Sequence, residues 1–292
     1  MSSPSNRRLD VRILLLAAAS IVVAGGFAAN ALWLGSGRDG SLNAWATLDT
    51  ADVHALAFAP GDDSHLYFGH HNGLHETRDG GRSWEPVSLS GVDAMHVQTA
   101  GSSKIQIAGH GAYVESLDGG ASWQPVPNDL PGLDLHAFAV DPGDPDHAWT
   151  WAVGFGLFET HDGGRHWKLR QPGNWGYLVA YRGVDVTALL AVSSEGGVRS
   201  LDGGAIWHQL PYVGAPLAGG ISAAADGSVL YAATTDGLRR STDEGQSWQE
   251  TTFNREALAV AIGSANAMHV AVVDGSTRFF RSLDGGLSWP GP

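Results

Sequence analysis

The sequence predicts an all-β protein built from six copies of one four-stranded unit that close into a ring. Six related eight-residue phrases carry this prediction, and each has a hydroxyl residue, an Asp two positions later, at least one Gly and a final Trp. They are TRDGGRSW (77–84), SLDGGASW (116–123), THDGGRHW (160–167), SLDGGAIW (200–207), STDEGQSW (241–248) and SLDGGLSW (282–289). Their Asp residues are separated by 39, 44, 40, 41 and 41 positions. This near-constant period in a Gly-rich chain indicates one supersecondary unit repeated along the chain.

Each repeat has a pattern of four short strands. In the first repeat, the strands are predicted at Val53–Ala59, Leu66–Gly69, Leu74–Thr77 and Trp84–Val87. Gly, Asp, Asn and Pro residues separate them, as is typical of antiparallel hairpins. A four-stranded sheet cannot bury both of its faces alone, so six sheets arranged radially are expected to form a six-bladed β-propeller.

The closure of this ring is also readable in the sequence. Only Pro-Gly-Pro follows Trp289, so the last repeat lacks its fourth strand. Residues 43–49, which precede the first repeat, resemble a fourth strand without its hairpin. We therefore expect residues 43–292 to form the propeller, with residues 43–49 as the outer strand of the last blade. Such pairing removes an exposed sheet edge without a disulfide, in a chain that has no Cys.

The repeated phrase has a structural explanation. The Asp can accept hydrogen bonds from loop N–H groups, and Gly supplies the positive φ angles of a tight turn. The final Trp begins the next strand and packs beside the turn. We accordingly assign a structural role, outside any active site, to the repeated Asp79, Asp118, Asp162, Asp202, Asp243 and Asp284. Glu244 for Gly in the fifth copy and Ile206 for Ser in the fourth are interpreted as tolerated variants.

The charge of the chain limits its partners. The 292 residues carry a formal net charge of −13, with only 17 Lys plus Arg. The basic residues do not cluster within the repeats, so binding of nucleic acid or of anionic lipid through the propeller is not expected.

The N-terminal region predicts an export or anchoring segment. Residues 1–12 contain Arg7, Arg8 and Arg12, residues 13–34 are almost uncharged and apolar, and residues 35–42 look like a linker. The apolar run is long enough to cross a bilayer core of about 30 Å, and its basic flank places the N-terminus in the cytoplasm. We favour a single-pass anchor with the propeller outside. The alternative is a signal peptide cleaved near Ala29-Asn30-Ala31, which would leave a secreted or periplasmic protein.

Histidines cluster at one end of the predicted channel. Aligned repeats place His54, His96 and His136 at the start of the inner strand in the first three blades, with Tyr177 and Glu256 at this position in the fourth and sixth. Loops on the same side contribute His71 and His110. Imidazoles that converge with a carboxylate fit a divalent transition metal, Zn or Cu. The competing interpretation is that these histidines bond to backbone carbonyls between packed blades.

The repeated phrase resembles the Asp box, or BNR repeat, of sialidase-like and sortilin-like propellers, especially the small membrane-anchored bacterial type often labelled glycosyl hydrolase. That resemblance covers residues 43–292 and implies fold, not activity. A sialidase would need three Arg, a Tyr nucleophile with a Glu partner and an early Arg-Ile-Pro segment, which is missing here. Tyr177, with Glu195 or Glu256, is the nearest match. Sortilin-like receptors add a Cys-rich module that this chain lacks. Exported Asp-box assembly factors of photosystems share the plan of a minimal propeller.

We therefore predict a tethered propeller outside the cytoplasm that works as a binding or assembly scaffold, or as a ligand-recognition module. Its partner would be a protein or a glycan, and the ligand site would include Trp175, Arg255 and Glu256. Glycoside hydrolysis is the alternative function. The fold pattern alone does not decide between them.

Overall fold

The computed structural model describes residues 42–172, 176–183, 185–193, 196–215 and 217–292. These residues form 24 β-strands, and within the described ranges there is no helix. Consequently none of the described segments is a helix able to span a membrane. The predicted anchor at 13–34 lies outside these residues. The strands form six four-stranded antiparallel sheets, which confirms the predicted all-β, six-bladed propeller.

The first three blades follow the chain from the inner strand outward. Blade one contains β2 (Ala55–Ala59), β3 (Asp62–His70), β4 (Gly73–Thr77) and β5 (Glu85–Ser90). Blade two contains β6 (His96–Ala100), β7 (Lys104–Gly109), β8 (Ala112–Ser116) and β9 (Gln124–Pro125). Blade three contains β10 (Leu135–Asp141), β11 (Asp144–Ala152), β12 (Gly156–Thr160) and β13 (Lys168–Gln171).

The next two blades repeat this order, and the sixth differs. Blade four contains β14 (Tyr177–Arg182), β15 (Thr187–Ser193), β16 (Gly196–Ser200) and β17 (His208–Leu210). Blade five contains β18 (Leu217–Ala223), β19 (Leu230–Thr234), β20 (Gly237–Ser241) and β21 (Gln249–Glu250). Blade six contains β22 (Ala257–Ile262), β23 (Val270–Asp274) and β24 (Arg278–Ser282), and its outer strand is β1 (Ala46–Thr47).

The sixth blade joins the two ends of the described chain. In β1, Ala46 is paired with Phe279 and Thr47 with Arg278. The backbone N–H of Trp45 donates to the carbonyl of Phe279 at 2.8 Å, and the indole N–H of Trp45 donates to the carbonyl of Pro290 at 2.8 Å. The ring of blades is thereby closed by non-covalent pairing, without a disulfide.

The core is divided among the blade interfaces. Six clusters of buried apolar side chains each draw on two neighbouring blades, as where Phe58 and Phe68 of blade one pack with Phe279 of blade six. Neighbouring inner strands also contact one another around the whole ring, from β2 through β22 and back to β2. Burial between blades therefore holds the inner strands around a central channel.

The six hairpins share one hydrogen-bond pattern. In the first, the hydroxyl of Thr77 donates to the carboxylate of Asp79 at 2.7 Å, and that carboxylate accepts the backbone N–H of Ser83 at 3.0 Å. The same Thr77 oxygen accepts the N–H of Gly81 at 3.0 Å. Each repeated Asp is thus used within its own loop. Glu244, which replaces the first glycine of the fifth hairpin, has a φ of 57° and is ion-paired to Arg199 at 2.5 Å.

In the first and third hairpins, the second glycine also lies against the preceding blade. A Cβ built on Gly81 would stand 2.0 Å from the ring of Phe279, and one on Gly164 would stand 1.9 Å from the Tyr113 hydroxyl. Gly81 has a φ of 104° and Gly164 a φ of 94°. At these positions glycine is required by the backbone conformation and by the space between blades.

Candidate functional site

The channel has a cavity at each end. The cavity of about 370 Å³ lies where the inner strands begin, and its wall takes residues from all six blades, among them His54, His96, His136 and Tyr177. The cavity of about 600 Å³ lies at the opposite end, where the inner strands turn into the second strands. We call the first end the mouth. It is formed by the loops that enter each inner strand and by the loops between second and third strands.

Blade one places three donor groups together at the mouth. Nε2 of His54 lies 3.0 Å from Nδ1 of His71. Both nitrogens approach the same carboxylate oxygen of Asp52, at 2.8 Å from His54 and 2.5 Å from His71. Asp52 and His54 precede β2, and His71 follows β3, so the hairpin pairing of these strands brings the three side chains together.

A second group of three comes from blades two and three. Nε2 of His136 lies 2.9 Å from Nε2 of His110 and 3.0 Å from Oδ1 of Asp134. The remaining separation, between Nε2 of His110 and Oδ1 of Asp134, is 3.4 Å. A bridge between the backbones of His110 and Asp134 links the two blades here. His136 is further fixed by an edge-on contact with the Trp151 ring.

Asp93 connects the two groups. Its Oδ2 accepts a hydrogen bond from Nδ1 of His110 at 2.6 Å, and its Oδ1 lies 3.9 Å from Nε2 of His54. That Oδ1 atom is buried and has no hydrogen-bond partner among the described residues. The mouth therefore carries a continuous strip across three blades, which we call the Asp–His strip: Asp52, His54, His71, Asp93, His110, Asp134 and His136.

In the first group, the electrostatics favour a neutral His54 beside an ionised Asp52. Burial lowers the pKa of His54, and the neighbouring His71 lowers it further, against the opposing charges of Asp52 and Asp93. Burial acts to raise the pKa of Asp52, but hydrogen bonds from His71 and the charge of His54 outweigh it and hold that pKa below its usual value. Neutral imidazole and carboxylate are the protonation states that a metal ion requires.

His96 occupies a different environment. Burial lowers the pKa of His96 to about 4, and its Nε2 atom is buried without a hydrogen-bond partner in the described part of the chain. The ring nitrogens of His54, His96 and His136 do not converge as one set of ligands. His54 and His136 belong instead to two separate groups, each completed by an Asp and a loop histidine.

Across the mouth, the other candidates do not form a comparable set. Arg255 lies 3.6 Å from the carboxylate of Asp274, which also accepts a hydrogen bond from Nε of Arg278 at 2.9 Å. Glu256 packs against Gly275, and the Gly275 N–H donates to its backbone carbonyl. Tyr177 is half-buried, and burial raises its pKa. Trp175 and Glu195 lie outside the described residues.

Three residues of the strip were not candidates from sequence: Asp52, Asp93 and Asp134. Their signal is local, because each stands two or three positions before a histidine that opens or nearly opens an inner strand, as in Asp52-Val53-His54 and Asp134-Leu135-His136. Aligning the histidines together with the loop residues before them would have shown the recurring Asp, but not the histidine that each Asp contacts.

The comparison with known families identifies the relatives of this chain. One family model, described as photosynthesis system II assembly factor YCF48, matches residues 41–291. The chain belongs to the YCF48 family. No match is found among curated proteins.

Solved structures of YCF48 have the same fold. A structure described as YCF48 bound to D1 peptide shares 23% identity and a TM-score of 0.51, over 85% of this chain and 81% of that one. YCF48 from Cyanidioschyzon merolae shares 20% identity and a TM-score of 0.52, over 87% of each chain. An ancestral GH74 enzyme shares 16% identity and a TM-score of 0.53, over 84% of this chain but only 37% of its own.

Membership in the YCF48 family refines the expected resemblance. The BNR-type propeller is confirmed, and the family description is that of an assembly factor, not of a glycosyl hydrolase or a sortilin-like receptor. The GH74 likeness covers little more than a third of the enzyme and concerns fold alone. A binding role is favoured over a catalytic one.

Proposed function

We propose that this protein is a non-catalytic assembly scaffold that holds a segment of a protein partner at the mouth of its channel. The observation that carries this proposal is the mouth itself, a cavity of about 370 Å³ walled by all six blades and edged by the Asp–His strip. Membership in a family of assembly factors supports it. A YCF48 structure bound to a D1 peptide gives a precedent for peptide binding on this fold.

The same proposal places the propeller outside the cytoplasm, tethered through residues 13–34. The support is the basic flank of Arg7, Arg8 and Arg12 before an apolar run of membrane-spanning length. An assembly scaffold held at the membrane would meet its partner in two dimensions, which raises the effective concentration of the pair. Cleavage near Ala29-Asn30-Ala31 is the alternative and would give a freely diffusing propeller.

Glycoside hydrolysis is the second candidate, and two of the loop acids on the far side of the mouth from the Asp–His strip are already paired. A glycosidase needs two carboxyl groups facing the scissile bond. Asp274 accepts hydrogen bonds from Arg278 and Ser276, and Asp236 is ion-paired to Arg239 at 3.1 Å, so both acids are held within their own loops. Glycan recognition by Trp175, Arg255 and Glu256 remains the corresponding non-catalytic alternative.

Site-specific photo-crosslinking tests the scaffold. A photoreactive residue replaces Asn72, an exposed loop residue at the mouth beside the strip, in the full-length chain in its native membranes. The matched control carries the same residue at Ile206, which is 60% exposed in a hairpin loop at the far end of the blades. We expect a discrete adduct with one integral membrane protein from position 72 and none from position 206.

The labelling pattern decides between the proposals. Adducts that form equally from both positions, or only from position 206, would contradict binding at the mouth. A purified chain that hydrolyses fluorogenic glycosides, with turnover lost in Tyr177→Phe or Glu256→Gln, would establish the glycosidase instead.

A further inference from the structure

The Asp–His strip brings nitrogen and oxygen donors from separate loops to two common points. One group is Asp52, His54 and His71, and the other is His110, Asp134 and His136. We infer that each group holds one divalent transition-metal ion of the zinc class, so that the mouth carries two adjacent metal sites. This inference does not rest on the proposed scaffold function, because metal binding is measured on the protein alone.

The spacing of the second group fits a metal ion closely. With metal–ligand bonds of 2.0–2.1 Å, donors around a tetrahedral ion stand about 3.3 Å apart. The three separations among His110 Nε2, Asp134 Oδ1 and His136 Nε2 are 2.9, 3.0 and 3.4 Å. An ion can therefore be placed among them with shifts of a few tenths of an ångström.

The first group is tighter and easier to open. Its separations are 3.0 Å between His54 and His71, 2.8 Å between His54 and Asp52, and 2.5 Å between His71 and Asp52. The side chain of His71 is 62% exposed. Its ring can move outward without disturbing the blade, which gives an ion the room it needs.

Hydrogen bonding alone leaves this first group unsatisfied. A neutral imidazole carries one N–H, and each ring nitrogen holds at most one proton. If both nitrogens donate to the shared oxygen of Asp52, then two N–H groups face one another across the 3.0 Å between His54 and His71. If only one nitrogen donates, the other is unprotonated, and its lone pair faces the carboxylate oxygen of Asp52, which is also an acceptor. A cation bound by all three atoms removes this conflict.

Asp93 fits the role of an orienting partner behind a metal ligand. Its carboxylate accepts the Nδ1–H of His110 at 2.6 Å, which selects the tautomer whose Nε2 lone pair is free for the ion. Metal-bound histidines typically have such a carboxylate or carbonyl behind them. The second oxygen of Asp93 is buried, unpaired within the described residues, and turned toward His54.

The donor types indicate which ion is bound. Imidazole with carboxylate suits Zn²⁺ or Cu²⁺, whereas Mg²⁺ and Ca²⁺ take oxygen ligands. Three protein ligands leave one position of a tetrahedral ion open. With side-chain exposures of 49%, 50% and 34% at His110, Asp134 and His136, that position is accessible from the mouth.

Metal titration of the full-length chain tests the inference. The protein is purified in detergent without a polyhistidine tag, stripped with a chelator and titrated with Zn²⁺ against a chromophoric competitor; Co²⁺ absorption then reports coordination geometry. We expect about two ions per chain. His136→Gln should lose one ion, His54→Gln the other, and the double variant both. Asp93→Asn should weaken binding of the ion held by His110, Asp134 and His136 about 10- to 100-fold.

The matched control is His166→Gln. His166 is also an exposed histidine bonded to an Asp, at 2.6 Å from Asp162, but it lies outside the strip. This variant should keep both ions, and unchanged melting temperatures of all the metal-free variants would show that they fold. A double variant that binds as many ions as the wild type, or the absence of Zn²⁺ and Cu²⁺ binding to the wild type, overturns the inference. Binding of one ion, lost in only one of the two single variants, overturns the two-site assignment.

Discussion

At the scale of single residues, the repeated Asp side chains hold the hairpins and shape the response of the protein to acid. Asp118 accepts hydrogen bonds from the hydroxyl and the backbone N–H of Ser122 and from the hydroxyl of Ser116, and these bonds lower its pKa to about 2. Asp79, Asp162, Asp202 and Asp243 also have lowered pKa values. The folded state therefore favours the ionised carboxylate.

This shift predicts a loss of stability at low pH. An Asp whose pKa is depressed in the folded state contributes its full stabilisation above the unfolded pKa of about 4 and loses it as pH falls through the folded pKa. We expect the melting temperature to fall steeply between about pH 4 and pH 2. Asp118→Asn should lower the melting temperature at pH 7 and show a shallower decline in that window. A decline as steep as that of the wild type would show that Asp118 does not contribute to the loss of stability at low pH.

The contacts between side chains at the mouth could not be predicted from the sequence. Aligned repeats pointed to His54, His96 and His136, but the direction of each side chain depends on the twist of its blade. His96 is half-buried with its Nε2 enclosed, whereas His54 and His136 each meet an Asp and a loop histidine. No repeat motif specifies such encounters between loops. The pairing of Asp93 with His110 therefore became evident only from the structure.

At the scale of the element, the hairpin is also a joint between blades. The predicted strands of the first repeat correspond to β2–β5 because the alternation of apolar residues and the Gly-rich turns are strong local signals. The packing of one hairpin on the blade before it is less visible in sequence. Gly81 shows it most clearly, since a side chain there would enter the ring of Phe279 on blade six.

Two glycine substitutions separate this packing from backbone strain. Gly81 and Gly120 occupy the same hairpin position with φ of 104° and 92°, but a Cβ on Gly120 would meet no atom closer than 3.7 Å. Gly120→Ala should cost about 1–2 kcal/mol for the positive φ alone. Gly81→Ala should cost about 1–3 kcal/mol more, because the methyl group also displaces Phe279. Urea unfolding measures the difference in free energy of unfolding. Equal costs would mean that Phe279 moves aside without loss of packing.

At the scale of the whole molecule, stability depends on closing the ring. Each blade buries its faces against two neighbours, and blade six reaches completion only through β1. The repeat period was sufficient to predict six blades, and the structure confirms them. The repeat period could not indicate which side chains line the mouth, because the loops there differ from blade to blade.

Closure gives a prediction about the start of the domain. A chain that begins at residue 42 keeps β1 and the backbone bonds of Trp45 and Leu48 to blade six, whereas a chain that begins at residue 50 leaves β24 as an open edge. We expect the shorter chain to melt at a distinctly lower temperature and to aggregate through that edge. Calorimetry and light scattering on the two fragments check this. Identical melting curves would show that β1 is dispensable.

The shared sixth blade also allows the chain to begin at a different blade while the blades keep their order around the ring. Asn43 donates its backbone N–H to the carbonyl of Trp289 at 3.1 Å, so the two ends of the propeller lie side by side. A short linker could join residue 292 to residue 42, and new ends could be opened at Gly91, between blades one and two, where the surroundings are open. Such a circular permutant should fold with the same mouth. It would present that mouth on a chain whose free ends leave from a different side of the ring.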